Sequence, residues 1–337
     1  MIKEVINRVV TGQSLTEVEA AAVMDEIMQG EVTPAQFGAL VTALRCKGET
    51  VEEITGMVKT MRQRALPVLI EGLVVDTCGT GGDASGTFNI STTTAFVAAG
   101  AGLKIAKHGN RAMSSRCGSA DVLEALGIKV ELPPEKVAEC IAGVGIGFIF
   151  APAFHPSMKH AAIPRREIGI RTVFNILGPL SNPAGVRAQV LGVADVEIAE
   201  KMALVLRNLG CRHALVVHGD DGLDEITLTT TTRISEVRDG TIIKYSIDPQ
   251  TFGMRLTDLN TLKGGSSQEN AEILRSILSG EMGPRRQVVL LNTAAALIAG
   301  DIATDFSEGI KMASKSIDSG QALQKLNQTI KFTQSCG

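Results

Sequence analysis

V-V-D-T-C-G-T-G-G-D-A-S-G-T-F-N-I-S-T-T-T, residues 74–94, is the stretch on which the fold turns. The apolar run Leu73-Val74-Val75 reads as a buried strand, predicted over 73–76. At its end the residues become small: Gly79, Gly81, Gly82 and Gly86. The apolar run from Ala95 to Ala101 then reads as a helix over 92–101, with Ser91 or Thr92 available to cap it. A strand, a glycine loop and a helix start aim backbone N–H groups at an anion, because the first turn of a helix leaves those donors without internal partners. A second strand, predicted over 103–106, ends in Lys107-His108-Gly109-Asn110-Arg111 and delivers cations to a second strand end. The stretch reads as a phosphate site built from two loops.

Outward from it, strands at 146–150, 189–193 and 214–218 alternate with helices at 119–127, 134–143 and 196–209. Such alternation predicts a mostly parallel, twisted sheet covered by helices, with ligands bound beyond the strand C-termini. Residues 1–66 read as wholly helical, with helices at 2–10, 15–29, 34–47 and 51–65 and capping boxes at Ser14…Glu17, Thr33…Gln36 and Thr50…Glu53. The fold class is therefore α/β: a small N-terminal all-helical domain (1–70) plus a larger α/β domain (71–337) with a mostly parallel central sheet. The proline-rich run 151–187 interrupts the alternation; it is predicted to lay a helix near 156–170, pack against the N-terminal helices and wall a cleft. Asp239-Gly240 signals a hairpin over 237–242, and 263–267 reads as a flexible turn. Helices at 268–279, 284–299, 305–319 and 321–331 close the chain.

Composition narrows the function classes. The 337 residues carry a net charge of −3, no Trp and one Tyr, so neither the basic surplus nor the stacking platform of a nucleic-acid binder is present. The 6 cysteines form no C-x-x-C pair and no zinc pattern, and suit a reducing, cytoplasmic setting. No signal-peptide pattern opens the chain, and its apolar runs are too short or too interrupted to span a bilayer.

Several constellations could carry chemistry. Gly79-Thr80-Gly81-Gly82-Asp83 matches neither common nucleotide fingerprint, yet it lets backbone approach a pyrophosphate, with Thr80, Ser85, Thr87, Asn89, Ser91 and Thr92 adding polar groups. Lys107 reads as a point charge on phosphate, Arg111 as either ligand-facing or structural, and His108 as a hydrogen-bonded scaffold. Ser115 and Ser119 are candidates for holding the same anion. Asp224-Glu225 is a solvated acidic loop taken alone; beside a diphosphate it reads as a Mg²⁺ site, since hard cations take oxygen ligands. Asp83 is a weaker acid candidate. Arg165-Arg166 offers forks for a carboxylate or a plain surface pair, and Phe154, His155 and Met158 line a pocket or the core. No convincing Ser-His-Asp or Cys-His order appears.

Taken together, D-T-C-G-T-G-G-D, F-N-I-S-T, K-H-G-N-R, S-S-R-C-G-S-A-D-V-L-E-A-L-G, H-P-S-M-K, G-I-R-T-V-F-N-I-L-G-P-L-S-N-P and D-E-I-T resemble the anthranilate phosphoribosyltransferase family over nearly the whole chain. The two loops alone are shared with pyrimidine nucleoside phosphorylases; the R-T-x-F-N-x-L-G-P-L-x-N-P run discriminates. The resemblance implies transfer of the phosphoribosyl group of 5-phosphoribosyl 1-diphosphate (PRPP) to the amine of anthranilate, in tryptophan biosynthesis. It implies that Gly79, Gly82, Asp83, Thr87, Asn89, Ile90, Ser91, Thr92, Lys107, His108, Gly109, Asn110 and Ser119 bind PRPP. Gly79, Asn110 and Arg165 would contact anthranilate, and Ser91, Asp224 and Glu225 would hold Mg²⁺, two ions per chain. No residue is implied as general acid or base. A stand-alone form, a cytoplasmic homodimer through the N-terminal helices, and no membrane or nucleic-acid partner are also expected. Arg116-Cys117 departs from the Lys-Ser common in the family and leaves the phosphate contact there open. A nucleoside phosphorylase, a related transferase with another acceptor and a non-catalytic PRPP sensor are the alternatives.

Overall fold

The computed structural model describes residues 1–112 and 116–336. Four helices open it: α1 (Ile2–Val10), α2 (Glu17–Gln29), α3 (Pro34–Lys47) and α4 (Val51–Arg64). The boxes at Thr33…Gln36 and Thr50…Glu53 form as expected. The first box moves from Ser14…Glu17 to Thr16…Glu19. Leu15 is buried immediately before that cap, so an apolar anchor sets where the helix starts. Glu53 is fully buried, yet it accepts from Leu15 N–H (2.9 Å) and Thr50 N–H (2.8 Å) and pairs with Lys47 (2.9 Å), so its charge is completely partnered.

The chain then alternates through β1 (Val75–Gly79), α5 (Ile90–Gly100), β2 (Ile105–Gly109), α6 (Ser119–Ala125), α7 (Pro134–Val144) and β3 (Ile146–Phe150). An excursion follows, with α8 (Ala151–Phe154), α9 (Lys159–Ile168) and α10 (Phe174–Leu177). The predicted helix near 156–170 is thus a short 3-10 turn, Pro156–Met158, followed by α9. The chain returns as β4 (Ala188–Gly192), α11 (Val196–Asn208), β5 (His213–Gly219), β6 (Thr232–Arg238) and β7 (Thr241–Ile247), then α12 (Ser267–Leu278), α13 (Pro284–Ala299), α14 (Phe306–Asp318) and α15 (Gln321–Ser335).

The sheet has 7 strands in the order β3-β2-β1-β4-β5-β6-β7. The first five are parallel; β6 and β7 add an antiparallel hairpin turned by Asp239 and Gly240, both at positive φ. Strand order reverses between β1 and β4, and that switch point is where an open α/β sheet leaves a crevice at its C-terminal edge. Alternate residues of β5 separate the two faces. Leu215 and Val217 join the cluster of α5 and α12–α15, whereas Ala214 and Val216 join the cluster of α1–α4 and α11.

The excursion belongs to the helical side of the molecule. Ala161, Val173, Phe174, Ile176 and Leu177 share the core of α1–α4, and the Phe37 and Phe174 rings lie 5.1 Å apart. The exit from α4 is tied to the same run: Leu66 N–H donates to Phe154 O (2.9 Å), Val68 N–H to Pro183 O (3.2 Å) and Arg62 Nε to Leu180 O (2.8 Å). Among the described residues no helix is long and apolar enough to cross a membrane.

Candidate active site

Both strands under the site run further than their apolar residues predict. β1 pairs with β4 from Val75 to Gly79, and β2 pairs with β3 from Ile105 to Gly109, so Asp76, Thr77, Lys107 and His108 lie within the sheet. Lys107 and His108, expected in a turn beyond the strand, are buried in it instead. A buried strand accepts such residues when they are partnered. Asp76 accepts from His108 N–H (3.2 Å) and from Asn182 Nδ2 (2.8 Å). Lys107 Nζ donates to Thr77 O (2.5 Å) and Ser91 Oγ (3.3 Å). Burial pushes Asp76 up to about 6 against the opposing pull of Lys107, and burial lowers Lys107 while Asp76 holds it up. A cation is thereby fixed beneath the start of α5.

The start of α5 is not the one expected. The helix begins at Ile90, and neither Ser91 nor Thr92 caps it; Asn89 is the cap position, without a side-chain bond. A carboxylate from elsewhere takes that place: Glu225 Oε1 accepts from Ser91 N–H at 3.0 Å. Asp224 does the same for the glycine loop, accepting from Gly81 N–H at 2.7 Å. Gly79 and Gly192, partners across β1 and β4, lie against Asp224 so closely that a Cβ on either would overlap it. Burial, then Asp83, raises Asp224 above the usual carboxylate range; burial, then Asp224, raises Glu225, with Lys107 opposing. Three neighbouring carboxyls repelling one another in a desolvated crevice form an arrangement relieved by a cation. Among the described residues no group of three His, Cys, Asp or Glu forms a metal cage.

The remaining expected residues divide between cleft and scaffold. Asp83 accepts from Ser85 N–H (3.3 Å) and Ser85 Oγ (2.6 Å), shaping the loop. Thr87 bridges to Lys263, Gly264 N–H donates to Gly86 O (3.0 Å) and Phe88 N–H to Leu262 O (3.0 Å); the predicted flexible turn at 263–267 is a clasp on the loop. Asn89 is held by Asn270 Nδ2 (3.0 Å) and donates to Cys117 O (3.3 Å), and Ser119 Oγ donates to Asn110 O (3.2 Å). Gly109 admits Ser119 and Phe148, which a Cβ would overlap.

Ile90 is buried in the core and gives its N–H to Phe88 O (2.7 Å), so it starts the helix. The Thr92 side chain is likewise turned into the core, its hydroxyl without a protein partner, which leaves only its backbone N–H for an anion. Arg111 takes the structural option, paired with Glu124 and lying over Phe150 (5.4 Å). Ser115 lies outside the described residues.

Of the two arginines on α9, the half-buried Arg165 guanidinium lies over the Phe174 ring at 5.4 Å and donates to Phe174 O (3.4 Å), whereas Arg166 is exposed. The buried His108 and His155 rings face each other at 5.2 Å; burial lowers them to about 3 and about 4. Sequence reading missed Asp76, Asn182, Asn270 and Gly192. Asn182 carried a signal, in the S-N-P run, but nothing in its spacing linked it to Asp76.

Residues 3–65 match the family described as glycosyl transferase family, helical bundle domain, and residues 71–323 match glycosyl transferase family, a/b domain. The anthranilate phosphoribosyltransferase of Chloroflexus aggregans is 59% identical over 331 residues, covering 98% of this chain and 97% of that protein. That of Acetivibrio thermocellus is 55% identical over 336 residues, covering 99% and 97%. Among solved structures, the anthranilate phosphoribosyltransferase of Thermus thermophilus superposes with a TM-score of 0.93 at 44% identity, over 98% of this chain and 99% of its own. The Saccharomyces cerevisiae enzyme in complex with PRPP and Mg superposes with 0.91 at 29% identity, over 99% and 98%.

Proposed function

The chain belongs to the anthranilate phosphoribosyltransferase family, and on that footing we propose how its cleft moves a phosphoribosyl group from PRPP to the amine of anthranilate, releasing diphosphate, in tryptophan biosynthesis. The observation that carries the reading is the pair of bonds from Gly81 N–H to Asp224 and from Ser91 N–H to Glu225. They bring the glycine loop, the α5 start, Lys107 and the acid pair to one place, as a single doubly phosphorylated sugar requires.

Gly79, Gly82, Asp83, Thr87, Asn89, Ile90, Ser91, Thr92, Lys107, His108, Gly109, Asn110 and Ser119 surround PRPP in this reading, largely through backbone donors. Lys107 supplies a fixed positive field under the diphosphate and orients the Ser91 hydroxyl. Asp224, Glu225 and Ser91 hold Mg²⁺, two ions per chain. When bound, Mg²⁺ neutralises charge growing on the departing diphosphate. Gly79, Asn110 and Arg165 position anthranilate, with Arg165 forking its carboxylate from a guanidinium already oriented by Phe174. As diphosphate leaves, C1 of the ribose becomes oxocarbenium-like and the amine attacks from the opposite face. The protein's contribution is positioning and exclusion of water, and no side chain is assigned as acid or base.

The helical domain (1–70, joined by part of 151–187) and the α/β domain (71–337) form the two walls. The active form is a cytoplasmic homodimer through the N-terminal helices, where Val10 and Val18 are exposed apolar residues. The test is anthranilate fluorescence: PRPP with Mg²⁺ should extinguish it, and PRPP without Mg²⁺ should not. Persistence of the signal in both would sink the assignment.

A further inference from the structure

Arg171 has no place in the reading above, and its position is unusual. It follows α9 on the excursion between β3 and β4. The residues after it are anchored: Thr172 N–H donates to Asn175 Oδ1 (2.9 Å), and Val173 and Phe174 are buried in the core shared with α3. From that anchor the guanidinium reaches the glycine loop and sets its Nη1 end against Gly82. Gly82 has φ +77°, and a Cβ there would fall inside the guanidinium. Only glycine permits both the backbone and the contact. On its other side the loop is held by Thr80 N–H to Gly192 O (2.9 Å) and Gly81 N–H to Asp224 (2.7 Å). Beneath Arg171 is a cavity of about 230 Å³ also lined by Arg45, Glu49, Thr80 and Asp195, open volume into which an unbraced loop can sag.

We infer that Arg171 is a positioning residue for the phosphoribosyl donor: the Nη1 end of its guanidinium braces the glycine loop at Gly82 from the helical side of the cleft. The inference rests on the PRPP reading. It gives the donor loop a mechanical link to the helical wall, because the same excursion carries Arg165, six residues earlier, for the acceptor. Misplacing a donor loop by a fraction of an ångström is felt in binding and turnover of its own substrate first.

The test compares steady-state kinetics of wild type, Arg171→Ala, Arg171→Lys, Gly82→Ala and the Gly82→Ala/Arg171→Ala double variant, with melting temperatures measured alongside. Arg171→Ala should raise KM for PRPP about tenfold while KM for anthranilate stays within about twofold. A lysine ends one bond short of the place that Nη1 holds, so Arg171→Lys should behave like alanine; recovery of PRPP KM by lysine would show a direct charge on substrate and overturn the positioning role. The backbone strain at residue 82 is present in both Gly82→Ala variants and cancels in the cycle. The double variant should therefore be less impaired than the product of the single effects, and strictly multiplicative losses would remove the contact. A PRPP KM unchanged in Arg171→Ala would overturn the inference alone; a wild-type chain with no PRPP turnover would overturn the parent reading as well.

Discussion

The donor and acceptor sides of the cleft are built from opposite materials. On the donor side, charges are set into the sheet: Asp76 and Lys107 are buried on adjacent strands, and Asp224 and Glu225 are tied to backbone N–H groups of two separate loops. On the acceptor side, Arg165 sits on α9, off the sheet, half-buried against one aromatic ring. A diphosphate needs a fixed positive field that does not reorganise when charge develops, and a lysine buried in the sheet can supply it. A flat aromatic acid needs one oriented fork and a wall, which an excursion packed on the helical layer can supply.

The sharpest way to break this contrast is Asp224→Asn/Glu225→Gln. The amides keep the bonds from Gly81 and Ser91 but lose the negative charge, so Mg²⁺-dependent turnover should fall by roughly a thousandfold or more. The melting temperature should not fall, since both carboxyls are disfavoured as anions by burial and by each other. Full activity in that variant would end the metal assignment. Next in size is Lys107→Met, which should lower kcat/KM for PRPP by about a hundredfold. It should also lower stability, because Asp76 then loses its nearby cation. Adding Asp76→Asn should return part of the stability and none of the activity; stability and activity recovering together would mean that Lys107 is only structural.

The same contrast explains what could be read from the sequence. The helical block, the alternation and the two loops were legible because apolar periodicity, capping boxes and glycines are local signals. The ends of β1 and β2 were not. Thr77 and Lys107-His108 look like turn residues until Asn182, 106 residues after Asp76, is known to sit beside the strand ends. Glu225 taking the cap position of α5, and Gly264 clasping Gly86, depend on contacts between residues far apart in sequence that no spacing rule reports. Arg165 was legible only as one of two adjacent arginines; the Phe174 ring distinguishes it from the exposed Arg166.

On the acceptor side, Arg165→Ala should raise KM for anthranilate about tenfold or more while KM for PRPP changes little. Equal effects on both substrates would contradict the division between the two sides. Arg165→Lys should recover little, because an ammonium neither stacks on Phe174 nor forks a carboxylate.

The smallest effect concerns His155, the histidine packed against His108 of β2. The His155 ring is buried and, among the described residues, neither nitrogen has a hydrogen-bond partner; burial lowers it from 6.5 to about 4. Between those values the unfolded chain binds a proton that the folded chain refuses, so this group makes stability fall as pH falls. Asp76, raised from 3.8 to about 6, acts in the opposite sense over much of the same range, so the net acid limb of the wild type does not isolate His155. The difference from His155→Gln does. Between pH 6.5 and 5 the wild type should lose about 1.5 kcal/mol more than the variant, measured by urea denaturation at each pH. Some of that difference would come through His108, whose ring is 5.2 Å away and is itself held down in part by His155. Parallel acid limbs in the two proteins would mean that the His155 ring is solvated, and that the packing around the His108–His155 pair is wetter than its burial implies.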